Sequence, residues 1–299
     1  MARHWVNLVG VAPLLLGMMV FVPQMVEATL VLAQSSQSSQ ATEALRLFRE
    51  GERLRQRGTR ESLQQALDKF QQALPLFRAN GDRNGEADNL DSIGRVYDRL
   101  EQTQQAIDYF QQALPIWREV RDRRSEAITL SGIAAVYSRI GQPQRALEFY
   151  QQALTIRREV NDRSGETTAL NNIGLVYSRI GQPQRALEFY QQALPIMREV
   201  NDRAGEARTL NSISVVYGVI GQPQRALEFS QQALPIQREV NDRSGEALTL
   251  TNIGGVYAVI GQPQRALEFY QQALPIMREV NDRSGEANTL TGIGAVYDS

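Results

Sequence analysis

The sequence of 299 residues predicts an all-α fold, a solenoid of antiparallel helix-turn-helix repeats. The segment GQPQRALEFYQQAL occurs at residues 141–154, 181–194 and 261–274, and again at 221–234 with Ser230 in place of tyrosine. A fixed period of about forty residues is typical of repeat arrays. Within each period, apolar residues recur at steps of three and four, which is helical spacing. Since such units stack on their neighbours, we expect one continuous array.

The N-terminal segment differs from the rest of the chain. An apolar stretch over residues 5–22 follows a basic residue, and small residues precede Gln34. This layout predicts a secretory signal peptide over residues 1–33, cleaved after Ala33, with Ala28 as the second choice. The alternative is an uncleaved membrane anchor, because the stretch is nearly long enough to span a bilayer.

The predicted location follows from that segment. We expect an exported protein, periplasmic or extracellular, or one anchored to a membrane by residues 5–22. Residues 34–40 are polar and of low complexity, and they predict a flexible linker. With no cysteine in the chain, the fold must be held by packing alone.

Two helices and a hinge make up each repeat, as the copy at residues 165–204 illustrates. Gly181 suits the left-handed end of the first helix, and Pro183 suits the first turn of the second. Asp162 or Ser164 is expected to cap the first helix. Small residues, such as glycine at the middle of the first helix, predict a close approach of the two helices.

The repeats divide the array into six hairpins and one further helix. We expect that helix either to cap the last apolar face of the array or to mark a truncation. A truncation would explain why its sequence repeats the apolar pattern of a helix that needs a partner. The predicted segments are 41–84, 85–124, 125–164, 165–204, 205–244, 245–284 and 285–299.

Prolines lie well inside five of the second helices. A proline at such a position removes one backbone hydrogen bond and clashes with the preceding turn. We therefore predict a bend at each of them, but none in the hairpin where Thr155 stands instead. The prolines are Pro75, Pro115, Pro195, Pro235 and Pro275.

Composition excludes several classes of active site. Cysteine is absent, and the only histidine, His4, lies within the predicted signal peptide. This excludes a thiol nucleophile, a Ser-His-Asp triad and a zinc site built on imidazole or thiolate in the mature chain. A Schiff-base enzyme would depend on Lys69, the only lysine. The net charge of -1 gives nucleic acid binding little support. We expect no cofactor and no metal.

The order of small and large residues in each repeat resembles the tetratricopeptide repeat family. The residues that carry the resemblance are Leu170, Ile173, Gly174, Tyr177, Gly181, Ala186, Tyr190 and Ala193. The pattern covers residues 41–299. The period departs from the family's usual length of about thirty-four, and leucine replaces the usual leading tryptophan. The longer period is similar to that of the long repeats in cyanobacterial and kinesin-light-chain-like arrays.

The resemblance implies a right-handed superhelix whose first helices line a concave groove for a peptide or protein partner. Some members of the family clamp a C-terminal carboxylate with groove lysines. Their absence here argues against that ligand.

Differences between copies fall mainly on the first helix, on the side opposite its apolar stripe. Binding of a partner would explain this variation, and so would neutral drift of an exposed surface. The candidate partner-binding residues are Arg95, Arg99, Ser131, Ala135, Arg139, Thr168, Asn171, Leu175, Arg179, Arg208, Asn211, Val215, Val219, Thr251 and Val259.

Three of these arginines predict a basic row. Arg99, Arg139 and Arg179 occupy equivalent positions on successive first helices, where Val219 and Val259 follow. The groove is therefore expected to be basic toward one end and apolar toward the other. Favourable interaction of each cation with its helix dipole is the alternative explanation.

An enzymatic function would need clustered carboxylates. Asp88, Asp91 and Asp98, with Arg95, are expected on one exposed face, where a solvated ion-pair network is the simpler explanation. We therefore expect no catalytic residue and a non-catalytic scaffold that binds a protein or peptide. The alternatives are a sensor array of a bacterial protease or signalling system, and a self-associating structural array that forms homo-oligomers. A membrane partner is expected only if the N-terminal segment is retained.

Overall fold

The computed structural model describes residues 38–298, and all the regular structure in that part of the chain is helical. The predicted all-α repeat of antiparallel hairpins is confirmed. Helix α1 covers residues 38–57. It is followed by α2 (Arg60–Ala79), α3 (Arg83–Arg99), α4 (Thr103–Val120), α5 (Arg123–Arg139), α6 (Pro143–Glu159), α7 (Arg163–Arg179), α8 (Pro183–Glu199), α9 (Arg203–Val219), α10 (Pro223–Glu239), α11 (Arg243–Val259), α12 (Pro263–Glu279) and α13 (Arg283–Tyr297).

The predicted signal peptide and both cleavage sites lie outside the described residues. The linker prediction is wrong for residues 38–40, which are helical and continue into α1. The Thr42 hydroxyl donates to the Ser38 carbonyl oxygen at 2.9 Å, which adds a side-chain bond to the first turn. None of the helices between residues 38 and 298 has the length and apolarity that a membrane span requires.

Two compact units divide the chain, one ending at Ile116 and the other beginning at Trp117. The boundary falls within α4, and the second unit contains all of α5 to α13. The near-constant repeat does not predict this division. The hairpins of the second unit carry most of the candidate residues.

The hinge of each hairpin follows the predicted chemistry. Gly181 has a φ of 71°, the left-handed conformation that favours glycine. The Gln182 N–H donates to the Tyr177 carbonyl oxygen at 2.9 Å and closes the end of α7. Pro183 occupies the first position of α8, as predicted. These interactions turn the chain between the two helices of one hairpin.

The connection between hairpins uses a second left-handed residue. Asn161 has a φ of 54°, and the equivalent asparagines of the next three hairpins are alike. Of the two candidate caps for α7, the structure selects Asp162, whose carboxylate accepts from the Gly165 N–H at 2.9 Å.

Small residues let aromatic rings cross between the helices of a hairpin. A Cβ atom on Gly174 would lie 2.6 Å from the ring of Tyr190, and Gly254 faces Tyr270 at 2.8 Å. The predicted close approach is confirmed at these glycines. Tyr177 also stacks on Phe189 with ring centroids 5.5 Å apart. In these hairpins the aromatic rings fill the space between the two helices.

The five second helices that contain an internal proline remain continuous α-helices. The predicted bend stays a prediction. In α6 the Thr155 hydroxyl instead donates to the Gln151 carbonyl oxygen at 3.0 Å.

The last described helix, α13, packs on α11 and α12 through one side only. Thr289 is fully buried, but Leu290 is 45% exposed and Tyr297 is 71% exposed. In α11 the equivalent residues Leu250 and Tyr257 are buried. Much of the apolar pattern of α13 is therefore open to solvent.

Candidate functional site

The exposed side of α5, α7, α9 and α11 is called here the first-helix face. It carries most of the candidate residues of the second unit, and its apolar members are well exposed, with Val219 at 76% and Val259 at 81%. Exposed candidates on this face are Ala135, Arg139, Thr168, Leu175, Arg179, Arg208, Val215, Val219 and Val259.

Four other candidates lie deeper, and three of them form hydrogen bonds to a neighbouring first helix. The Ser131 hydroxyl instead donates to the Ala127 carbonyl oxygen of its own helix at 2.8 Å. Ser131, Asn171 and Thr251 are half-buried, and Asn211 is buried with 8% exposure. The expectation that Asn211 lies on the open face is therefore wrong. Its amide oxygen accepts from Asn252 Nδ2 at 3.1 Å. This bond joins α9 to α11, so the residue holds the helices together.

Asn171 and Thr251 take part in similar links. Asn171 Nδ2 donates to Thr209 Oγ1 at 2.9 Å, and the hydroxyls of Thr251 and Thr289 lie 3.0 Å apart. These polar pairs fix successive first helices side by side. The exposed residues beside these pairs therefore lie on helices that are held in fixed positions.

In the first unit, Arg95 and Arg99 are engaged with protein groups. Arg95 forms an ion pair with Asp91 at 2.5 Å, and Arg99 donates to the Arg55 carbonyl oxygen at 2.9 Å. The expected shared exposed face of the three aspartates is wrong at Asp91, which is only 6% exposed. It lies at the inner edge of the helix and is neutralised by Arg95.

The predicted arginine row spans both units. Arg139 and Arg179 lie in the second unit, at the last residue of α5 and of α7, whereas Arg99 belongs to the first. The row of three therefore stays a prediction. Within the second unit, two exposed arginines are followed by Val219 and Val259 at the equivalent positions.

The four helices of the first-helix face carry no exposed carboxylate. Each of α5, α7, α9 and α11 contains a single acidic residue, a glutamate in its first turn. All four glutamates are buried and paired with arginines. They are Glu126, Glu166, Glu206 and Glu246. The face therefore attracts negatively charged groups.

An open pocket of about 500 Å³ lies on this face between α9, α11 and α13. It brings together the candidates Val215, Val219, Thr251 and Val259. The phenol of Tyr270 also lines it. Burial raises the pKa of Tyr270, so the hydroxyl keeps its proton at neutral pH and can donate a hydrogen bond.

The pocket was not predicted from the sequence. Ser230 replaces the tyrosine of the other copies, and its hydroxyl lies 2.6 Å from that of Ser214. A single altered residue in a near-identical repeat was the available signal.

Among residues 38–298, no three acidic, histidine or cysteine side chains are grouped so that they could hold a metal ion. The site consists of exposed arginines, apolar side chains and a pocket with a polar rim. Such a surface can bind another molecule through charge and apolar contacts.

Comparison with known families gives a match to the tetratricopeptide repeat over residues 59–119, 101–159, 165–239 and 245–299. The chain belongs to the tetratricopeptide repeat family. A search among curated proteins gave no significant match. Repeats of this family generally carry no catalytic site, and they support a role as a protein–protein interaction scaffold.

Solved structures show the same fold. BtubC (BKLC) from P. vanneervenii has 21% identity and a TM-score of 0.63, with 81% of this chain and 92% of that chain covered. The nearly identical TPR-like repeats of a kinesin light chain from Podosopora anserina have 21% identity and a TM-score of 0.54, with 64% and 95% covered. This agrees with the predicted likeness to kinesin-light-chain arrays.

A third structure contains a bound peptide. The Rap conjugation gene regulator of the plasmid pLS20, in complex with a Phr peptide, has 15% identity and a TM-score of 0.57, with 71% of this chain and 59% of that chain covered.

Proposed function

We propose that this tetratricopeptide repeat protein is a non-catalytic scaffold that binds an extended peptide or protein segment along its first-helix face. The observation that carries the proposal is the composition of that face. It presents arginines and exposed valines and lacks an exposed carboxylate, while the second helices are nearly invariant. Peptide binding by the Rap regulator of the same fold supports it.

The chemistry of the face specifies the partner. Arg139, Arg179 and Arg208 are exposed and suit carboxylates, with which guanidinium groups form paired hydrogen bonds. The exposed Val219 and Val259 suit apolar side chains. An acidic segment that also contains apolar residues matches both. The arginines would speed its association and make binding depend on salt.

The test starts from affinity capture with the full chain in extracts of the native source and identification of bound proteins by mass spectrometry. The purified partner is then measured against the triple variant Arg139→Gln, Arg179→Gln and Arg208→Gln. We expect its affinity to fall by about tenfold and its salt dependence to weaken.

A matched control changes the net charge equally on the opposite helices. Gln151→Glu, Gln191→Glu and Gln231→Glu also shift it by three negative units, at exposed positions of second helices. This variant should bind normally. Equal affinities for the wild type and the arginine variant would reject the first-helix face as the binding surface.

Export is a further part of the proposal, and it rests on the apolar residues 5–22 and the small residues that follow. N-terminal sequencing of the protein isolated from its native source tests it. A mature chain that starts at Gln34 is expected. A protein that keeps Met1 and is recovered from the cytoplasm would contradict it.

A further inference from the structure

The pocket on the first-helix face occurs where one hairpin departs from the others. Its apolar wall contains Val215, Val219, Val256, Val259 and Pro223. Its volume of about 500 Å³ lies in the range of ligand-binding clefts, which is about 300–1,000 Å³.

Ser230 explains the open space. In the preceding hairpin, the ring of Tyr190 lies on Gly174, and its hydroxyl is directed toward Ser212 of the next first helix. One period later these three positions are Ser214, Ser230 and Asn252. A tyrosine at 230 would therefore lie on residue 214 and extend toward residue 252.

Both of those residues line the pocket. The replacement of the tyrosine by Ser230 therefore removes a ring from this part of the molecule. Gly255 widens the space further, because its equivalents in the two preceding hairpins are Leu175 and Val215. The pocket results from substitutions in two adjacent hairpins.

The rim offers polar groups that can hold a peptide backbone. Asn252 and Asn288 contribute side-chain amides. Tyr270 is only 5% exposed, and within residues 38–298 its hydroxyl has no hydrogen-bond partner. A nearly buried donor that faces an open pocket can complete its hydrogen bond with a ligand.

A charge near the pocket indicates which ligand it fits. The pocket lining itself contains no charged residue. On the neighbouring first helix, α7, Arg179 occupies the position that Val219 occupies on α9. Neighbouring packed helices lie about 8–10 Å apart, which is within the reach of two or three residues of extended peptide.

We propose that this pocket binds one apolar side chain of an extended peptide, with an acidic residue of the same peptide placed on its Arg179 side. This inference rests on the proposed function and names the specificity-determining site. Tyr270 and the two asparagines hold the peptide backbone, while the valines select the apolar side chain.

The experiment uses random peptides displayed on phage and selected on the full chain. Enriched peptides are synthesised, and their affinities are measured for the wild type and for two pocket variants. Ser214→Gly with Ser230→Tyr restores the residue pair found at Gly174 and Tyr190, so it fills the pocket with a combination that the fold already accepts. Val219→Arg introduces the residue found at Arg179 into the pocket wall and leaves the core unchanged.

We expect enriched peptides that contain an apolar residue within three positions of aspartate or glutamate. Each pocket variant should weaken their binding by about tenfold or more. Gln237→Met is the matched control. It gives the hairpin with Ser230 the methionine that the preceding hairpin has at Met197, and Gln237 does not line the pocket. It should bind the peptides as the wild type does.

Three other results would overturn the inference. Peptides that bind the wild type and both pocket variants equally would reject the pocket but leave the proposed function standing. A selection that enriches no peptide would reject both. If the dye 1-anilinonaphthalene-8-sulfonate binds the wild type but not the variants, and no peptide is enriched, the pocket is a site for small apolar molecules.

Discussion

The buried carboxylate of Glu166 accepts a hydrogen bond from Arg158 of the preceding hairpin at 2.7 Å. It also accepts one from Arg163 of its own helix at 2.7 Å, and Arg163 in turn reaches Glu199 at the end of α8 at 2.6 Å. This Arg–Glu relay connects α6, α7 and α8. Equivalent relays pass through Glu126, Glu206 and Glu246. Each hairpin is thus tied to the one before it.

Loss of the buried charge should weaken the array. Glu166→Gln keeps the side-chain volume but removes the buried charge that Arg158 and Arg163 both contact, so we expect the free energy of unfolding to fall by about 1–3 kcal/mol. Urea unfolding followed by circular dichroism measures it. Glu199→Gln, at the exposed end of the relay, should cost clearly less. An equal loss of unfolding free energy in both variants would show that burial does not strengthen the contribution of Glu166 to stability.

The exposed ends of the relays should make stability depend on pH. Hydrogen bonds from Arg163, Arg203 and Arg243 hold the pKa values of Glu199, Glu239 and Glu279 below their ordinary value of 4.5. A carboxylate with a lowered pKa in the folded state stabilises it above the unfolded pKa, and this contribution is lost as the pH falls through the folded pKa.

The urea midpoint should therefore be nearly constant between about pH 7 and pH 5 and should decline below about pH 4.5. Since these groups are exposed, salt should reduce the effect. The triple variant Glu199→Gln, Glu239→Gln and Glu279→Gln should show a shallower acid decline. An unchanged decline would assign the acid sensitivity to other groups.

A buried arginine offers a stabilising substitution. Arg157 is 7% exposed, its Nε has no hydrogen-bond partner within residues 38–298, and burial lowers its pKa. The equivalent residues of two later hairpins are Met197 and Met277. We expect Arg157→Met to raise the free energy of unfolding by about 1–2 kcal/mol, because it removes a poorly compensated buried charge.

Thermal and urea unfolding measure this change. The reverse substitution, Met197→Arg, should destabilise the chain. If Arg157→Met is destabilising, then the weak contacts of Arg157 with Asp162 and Ser131, at 3.7 Å and 3.4 Å, outweigh the cost of burying its charge.

Substitution by alanine at two glycines should change the free energy of unfolding in opposite directions. Gly181 has a φ of 71° and open space around its Cα, so Gly181→Ala strains only the backbone and should cost about 1–2 kcal/mol. Gly218 lies within α9, also in open space, and Gly218→Ala should stabilise by about 0.5–1 kcal/mol. Urea midpoints of the two variants test the pair, and a shift of the same sign in both would contradict this account.

Local sequence signals predicted the hairpin well. The period needed several copies. The left-handed Gly181, Pro183 at a helix start and the small Gly174 lie within one repeat, so one copy was sufficient to predict the turn and the close packing. The Asp162 cap was one of two candidates that the sequence left open. These features depend on residues close together in the chain.

Interactions between repeats were harder to predict. The relay from Arg158 through Glu166 joins different hairpins, and nothing in the spacing of one helix indicates which arginine meets which carboxylate. Asn211 was expected on the open face because a helical projection does not include the neighbouring helix that covers it. The pocket at Ser230 needed two adjacent hairpins to be considered together.

The same relay occurs at successive junctions between hairpins, so each hairpin of the second unit presents its predecessor and its successor with nearly the same chemistry. Duplication or deletion of one forty-residue block in the gene would therefore leave the remaining junctions intact. The length of the array can change in whole steps during evolution, while a specialised hairpin such as the one with Ser230 is moved, copied or lost as a unit.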